Sequence, residues 1–172
     1  MLRMTMLSFA ALALTACAQE APPAQVEAPD SFEQVSADAI PAEVTAAALA
    51  VLPGFTINEA ERKEREGRVY YDVEGVRADG AEAELDMLQT PEGWRVVEIQ
   101  RDIDWAAAPA SVRAAAARPA NAFTPVRVIE STQTQDGAVI FELFAEGRPE
   151  APSMEIRFVD GQASVMTEAN PH

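Results

Sequence analysis

The chain lacks the residues on which most hydrolytic and redox enzymes depend. It has one cysteine and one histidine among 172 residues, and that histidine, His172, is the last residue. A single cysteine cannot form a disulfide within the chain, and a Ser-His-Asp or Cys-His arrangement needs a histidine base. The eight glycines stand singly, so there is no glycine-rich phosphate loop. We therefore predict that the protein is not an enzyme and has no catalytic residues and no cofactor.

Positive charge is also scarce. The chain has 13 Lys and Arg residues against 28 Asp and Glu, which gives a net charge of −15, and Lys63 is its only lysine. A chain of this charge is repelled by nucleic acid and by anionic lipid headgroups. The sequence therefore predicts no nucleic-acid partner, and the acidity indicates a solvated surface or a basic protein partner.

Long apolar runs are missing near the N-terminus, where a membrane anchor is often found. A transmembrane helix needs about 20 apolar residues, and residues 9–14 are far too few. With Arg3 before this run and small residues after it, the pattern is typical of a secretory signal peptide. We assign residues 1–16 to that peptide.

The end of this peptide resembles the lipobox of bacterial lipoproteins, through Leu14, Thr15, Ala16 and Cys17. In that family the cysteine is diacylated on its sulfur, the peptide is cut just before it, and the new amino group is acylated. Several acyl chains together anchor a protein stably. The family retains proteins at the inner membrane through an Asp after the cysteine, and this chain has Ala18. The resemblance implies lipid attachment at Cys17 and an outer-membrane location facing the periplasm. An ordinary signal peptide with an incidental cysteine is the alternative.

Residues 17–40 follow as the lipidated cysteine and a segment rich in Ala, Pro, Glu and Gln. This composition predicts a disordered tether. From Pro41 the pattern changes to an alanine-rich helix that ends at Pro53-Gly54. Alternating strands follow, with a hairpin signal at Asp79-Gly80.

The same order recurs in the second half of the chain. Residues 109–116 are similar to residues 41–48, and residues 136–143 are similar to residues 66–73. The recurrence predicts an α+β fold built as a tandem repeat, each copy having one helix and about four antiparallel strands. We place the copies at 41–105 and 106–172, with the helices packed on one face of the sheet. Whether the copies share one sheet or pack separately stays open.

The first copy resembles a PepSY-type repeat, through residues 67–73, Asp79-Gly80, residues 84–86 and residues 93–98. The tandem arrangement is similar to PepSY-like and β-lactamase-inhibitor-protein-like periplasmic domains. The second copy departs from the pattern, because residues 148–152 replace the Asp-Gly hairpin. The resemblance implies a non-enzymatic module that binds another envelope protein, with inhibition of that protein as one form of the contact. A structural or envelope-assembly lipoprotein without inhibitory activity is the alternative.

One group of acidic side chains is a candidate for cation binding or catalysis. Glu82, Glu84 and Asp86 share a strand face, and Asp72 and Glu74 share a face of the preceding strand. A carboxylate patch across this hairpin is compatible with a solvated face, with weak cation binding or with acid catalysis. The solvated face is our prediction, and we assign no metal site.

Two aromatic residues are candidate partner contacts. Tyr70 falls on the acidic face of its strand, where an aromatic side chain is available to a partner protein. Trp105 lies between the two copies, where core packing and partner binding are both open.

Overall fold

A computed structural model describes residues 31–65 and 67–167, and its dominant feature is a single antiparallel sheet. Nine strands pair in the order in which they occur along the chain, each with the next. The strands are β1 Ser31–Ser36, β2 Thr56–Arg65, β3 Arg68–Val76, β4 Glu82–Thr90, β5 Gly93–Asp102, β6 Arg127–Gln133, β7 Val139–Phe144, β8 Met154–Val159 and β9 Gln162–Val165.

Two short helices accompany the sheet. Helix α1 spans Ala42–Val51 and helix α2 spans Ala110–Ala116. Each begins directly after a proline, Pro41 or Pro109, whose fixed backbone angle suits the start of a helix. Alanine, the residue with the highest helix propensity, dominates both. The helix predicted to begin at Pro41 is thereby confirmed.

A tight turn at Asp79-Gly80 joins β3 and β4, where the sequence predicts a hairpin, and another tight turn joins β8 and β9. The turn between β8 and β9 is Asp160-Gly161, and both residues have positive φ, 50° and 78°. Two positive φ angles are characteristic of the two-residue hairpin turns whose twist matches the strands. At Asp79-Gly80, the Asp79 carboxylate accepts a hydrogen bond from the Ala81 amide at 3.1 Å.

Two hydrophobic clusters lie on one face of the sheet, which we call the covered face because both helices pack there, whereas Ile129, Ile140 and Phe144 are buried on the other face. Val44 of α1 is fully buried in a cluster with Val73 and Leu85. Val112 of α2 is fully buried in a second cluster with Phe141. Strand register places both clusters on the same side of the sheet. Burying one side chain of this size contributes about 1.5–3 kcal/mol, so these contacts stabilise the fold.

The prediction of a tandem helix-plus-four-strand repeat is wrong. The described residues form mostly one nine-stranded sheet, and the helices have only 10 and 7 residues. The reason is the pairing of β5 with β6, from Glu98 opposite Gln133 to Asp102 opposite Ile129, which continues the sheet across the expected boundary between copies. The open question of one sheet or two is settled in favour of one.

The prediction that residues 17–40 include a disordered tether is wrong at the C-terminal end of that segment. Residues 31–36 form β1, which pairs with β2 along its whole length, and a 3-10 helix follows at Ala37–Ala39. Val35 is the only buried residue of β1. A single buried apolar side chain is too little for the sequence to indicate this edge strand. Leu14, Thr15, Ala16 and Cys17 lie outside the described residues.

Candidate functional site: the open face of the sheet

The side of the sheet away from the helices is rich in charge, and we call it the open face. Neither described helix packs on it, because the clusters that contain α1 and α2 lie on the covered face. Residues directly opposite one another on neighbouring strands share a face. From β2 to β6 the open face carries Glu59, Glu61, Lys63, Tyr70, Asp72, Glu74, Glu84, Asp86, Glu98, Gln100, Ser131 and Gln133.

Four acids stand opposite one another across four strands, and we call them the first acidic row. Glu61 pairs with Asp72, Asp72 with Asp86, and Asp86 with Glu98. Asp86 and Glu98 are buried, with exposures of 8% and 3%. Like charges in directly opposite positions destabilise a sheet, so this row has an energetic cost.

A second acidic row lies beside the first. Glu59 pairs with Glu74, and Glu74 pairs with Glu84. The row ends in polar, uncharged groups, because Glu84 faces Gln100 and Gln100 faces Ser131. Glu59 and Glu74 are exposed, whereas Glu84 is half-buried. The negative charge is therefore concentrated over β2 to β5.

The two rows meet in a cluster formed by Asp72, Glu84 and Asp86. One carboxylate oxygen of each residue lies within 4.8 Å of those of the other two. Two unit charges at that distance repel by on the order of 3 kcal/mol at an effective dielectric constant of about 20. The cluster that the sequence predicts across this hairpin is thus confirmed, but Asp86 is buried and does not belong to a fully solvated face.

Three kinds of group compensate the carboxylates. The Lys63 ammonium forms an ion pair with Asp72 and lies 3.5 Å from Glu61. The Gln100 amide donates to Asp86 at 3.3 Å and to Glu98 at 3.2 Å. The buried Ser131 hydroxyl donates to Glu98 at 2.6 Å. Charge compensation comes from the β2 side, and neutral hydrogen-bond donors come from the β5 and β6 side.

The pKa values of the cluster are shifted by this environment. Burial raises the pKa of Glu84 to about 7, and the charges of Asp72 and Glu74 add to the effect. Burial also raises the pKa of Asp72, even though the ion pair with Lys63 opposes the shift. Burial acts to lower the pKa of Lys63, but its contacts with Asp72 and Glu61 outweigh that effect and raise it. Lys63 is therefore charged at neutral pH, while Glu84 is protonated more readily than an ordinary glutamate.

The chemistry open to this cluster is the binding of protons or of positive charge. Carboxylate oxygens are the ligands that calcium prefers. A metal ion would have to compete with the Lys63 ammonium, which already pairs with Asp72. Weak cation binding therefore stays an alternative to the predicted solvated face.

Tyr70 lies on the open face, as its strand pattern predicts. It is half-buried and stands between Lys63 on β2 and Leu88 on β4. It therefore borders the first acidic row at Asp72, two residues along its own strand. Its role as a partner contact stays a prediction.

Trp105 lies elsewhere, at the start of a 3-10 helix, Trp105–Ala107, that precedes α2. It packs partly buried against the second core cluster, so core packing, one of the two alternatives, is confirmed. It also lines a cavity of about 360 Å³ with Arg113 and Phe123. Arg113 donates to the carbonyl oxygens of Ala106 and Ala108, which commits it to the turn before α2.

The burial and pairing of several open-face residues could not be predicted from the sequence. Glu142 and Glu155 stand opposite each other on β7 and β8, and both are buried, with 5% and 7% exposure. Glu98 and Ser131 form a buried hydrogen bond between strands separated by more than 20 residues of chain. The alternation of each strand identifies its polar face, but only the register shows which polar residues meet.

No family model matches the chain, and neither the curated proteins nor the solved structures give a match.

Proposed function

We propose that this protein is a membrane-anchored periplasmic lipoprotein whose open sheet face binds another envelope protein of basic character. The observation that supports binding is the open face itself, a large charged surface over β2 to β5 on which neither described helix packs. A face of this charge complements a basic surface and repels an acidic one.

The acidity of the open face favours partner proteins with a basic surface. Charged side chains at an interface mainly set specificity and association rate, which fall with ionic strength. Tyr70 adds an aromatic side chain at the edge of the charge, of the type enriched at binding hot spots. We expect the partner to present Lys or Arg side chains to Glu59 and Glu74, which are exposed.

The membrane anchor is supported by the lipobox-like residues that end in Cys17. Within residues 31–65 and 67–167, no helix is long and apolar enough to cross a membrane. We expect Cys17→Ala to move the protein from the membrane fraction to the soluble fraction, because the acyl chains attach to that sulfur. Replacement of Ala18, the next residue, by Ser is the matched control and should leave the protein in the membrane fraction. Unchanged membrane retention of Cys17→Ala would contradict the lipoprotein assignment.

The nature of the partner is tested by capture from envelope extracts with the full chain as bait. Recovery of one enzyme, with loss of its activity when the protein is added, supports inhibition. Recovery of cell-wall or assembly proteins, with no change in any enzyme activity, supports the structural alternative. If nothing is retained at low ionic strength, the binding proposal is wrong, because electrostatic association is strongest there.

A further inference from the structure

The outer edge of β1 presents backbone groups to which another strand can bond. The strand order of the sheet begins with β1, so within residues 31–65 and 67–167 no strand pairs with its outer side. Alternate residues of an antiparallel strand direct their N–H and C=O groups to the same side. Half of the backbone groups of this six-residue strand therefore point away from β2.

β1 lacks the features by which edge strands usually avoid pairing with another chain. Such strands are often short, bulged or protected by lysine or proline. β1 contains neither lysine nor proline, and its register with β2 runs without a shift from Ser31 opposite Glu64 to Ser36 opposite Glu59. The strand at the other edge of the sheet, β9, has only four residues. Of the two edges, β1 is therefore the better suited to accept a further strand.

Phe32 gives this edge an exposed aromatic ring. Its exposed fraction is 54%. It lies on the open face, because it stands opposite Lys63, which in turn stands opposite Tyr70. The Arg65 guanidinium lies over the Phe32 ring, 5.9 Å from its centroid. The ring thus already contacts a cation of the chain itself, and it suits a second cation or an apolar group from a partner.

Both acidic rows reach this edge of the sheet. Gln34 stands opposite Glu61, where the first row begins, and Ser36 stands opposite Glu59, where the second row begins. The Gln34 amide donates to Glu59 at 3.2 Å, so a long side chain crosses from one strand to an acid on the next. A strand added beyond β1 would lie about 9.6 Å from β2, two strand spacings away. The combined length of a basic side chain and a glutamate spans that gap.

We propose that β1 accepts an extended segment of the partner as a tenth strand, with Lys or Arg at the alternate positions that face Phe32, Gln34 and Ser36. This inference rests on the proposed function, because it specifies how the partner of the open face binds. Backbone hydrogen bonds to the edge supply affinity, and the alternate side chains supply specificity. A second copy of the chain is a poor occupant, since each copy has a net charge of −15 and the two repel.

The experiment uses the full chain in a nonionic detergent and a ten-residue synthetic peptide of alternating Arg and Val, blocked at both ends. Calorimetry at low ionic strength measures binding, and amide hydrogen exchange of β1 is followed with and without the peptide. We expect the outward-pointing amides of β1 to exchange rapidly in the chain alone and about tenfold or more slowly when the peptide is bound. The amides of β9 should be unaffected.

Two controls separate strand addition from general attraction between charges. The first is a peptide with the same number of arginines and two consecutive prolines at its centre, which removes a backbone donor on each side of the strand. It should slow exchange in β1 far less. The second is a pair of variants: Phe32→Ala should weaken binding of the alternating peptide by about threefold to tenfold. Val159→Ala, with 39% exposure at the end of β8, should leave binding unchanged.

Equal slowing of β1 exchange by both peptides, or by neither, would overturn the proposal, as would equal binding by the two variants. Slow exchange of all β1 amides in the chain alone would also overturn it. A slowing that grows with protein concentration would then identify a second copy as the occupant, and one independent of concentration would identify another part of the same chain.

The edge site and the proposed function can fail separately. If the alternating peptide slows β1 exchange but envelope extracts yield no bound protein, the edge site is supported and the envelope partner is contradicted. If extracts yield a protein bound through the open face but the peptide leaves β1 unchanged, the proposed function is supported and the edge site is overturned.

Discussion

The two faces of this sheet use burial in opposite ways. On the covered face, apolar side chains such as Leu85 and Phe141 are buried against the helices and stabilise the fold. On the open face, charged side chains such as Asp86 and Glu98 are buried although neither described helix packs there. Burial of a carboxylate is costly unless it is paired or hydrogen-bonded. Over β2 to β5, the covered face therefore stabilises the fold, whereas burial of the acids on the open face costs part of that stability.

This difference is consistent with the proposed role of the open face as a binding surface. Natural proteins accept destabilising local arrangements mainly where a site needs them. Because the acids alternate with core residues along the same strands, the core fixes their positions. Rigid positioning of charged groups is what a binding surface requires. We infer that the covered face serves as the scaffold for the open one.

The largest effect should come from removing a core side chain on β4. Leu85 is fully buried on the covered face, whereas Leu88, three residues further, is half-buried on the open face. We expect Leu85→Ala to lower the free energy of unfolding by about 3 kcal/mol, through lost burial and the cavity that remains. Leu88→Ala is the matched control on the same strand, with an expected loss of about 1 kcal/mol or less. Urea unfolding measures both, and similar losses would mean that the two faces do not differ as described.

A smaller effect should follow from removing one donor on the open face. Ser131 is fully buried and donates to Glu98. We expect Ser131→Ala to lower the free energy of unfolding by about 1–2 kcal/mol, because a buried carboxylate loses a hydrogen bond. The control is Ser164→Ala, at an exposed position of β9, with an expected change within about 0.5 kcal/mol. A neutral result for Ser131→Ala would show that Glu98 is satisfied without this hydroxyl.

Local patterns predicted much of this structure. The alternation around Tyr71 and Val73 correctly separates core from polar positions on β3, and both are buried. The Asp79-Gly80 turn correctly separates β3 from β4. These features depend on residues close together in the chain, which is why single-sequence patterns reveal them.

Features that depend on distant pairing were not predictable in the same way. The junction of β5 and β6 forms across a connection that contains α2, and nothing local in either strand specifies it. The edge strand β1 has only Val35 as an inward-facing apolar residue. The burial of Asp86 results from its neighbours on β3 and β5, so its own sequence context gives no signal. The expected tandem repeat was wrong because the described residues form mostly one nine-stranded sheet with two short helices.

Partner binding through the open face is tested by charge reversal on that face. Glu59→Lys combined with Glu74→Lys reverses two exposed acids that stand opposite each other. Glu92→Lys combined with Glu146→Lys makes the same change in net charge at exposed turn positions. Full chains carrying each pair are compared with the wild type in quantitative capture from envelope extracts at low ionic strength. We predict that the turn variant retains the proteins bound by the wild type and that the open-face variant loses them. Retention of the same proteins by the open-face variant would contradict the account.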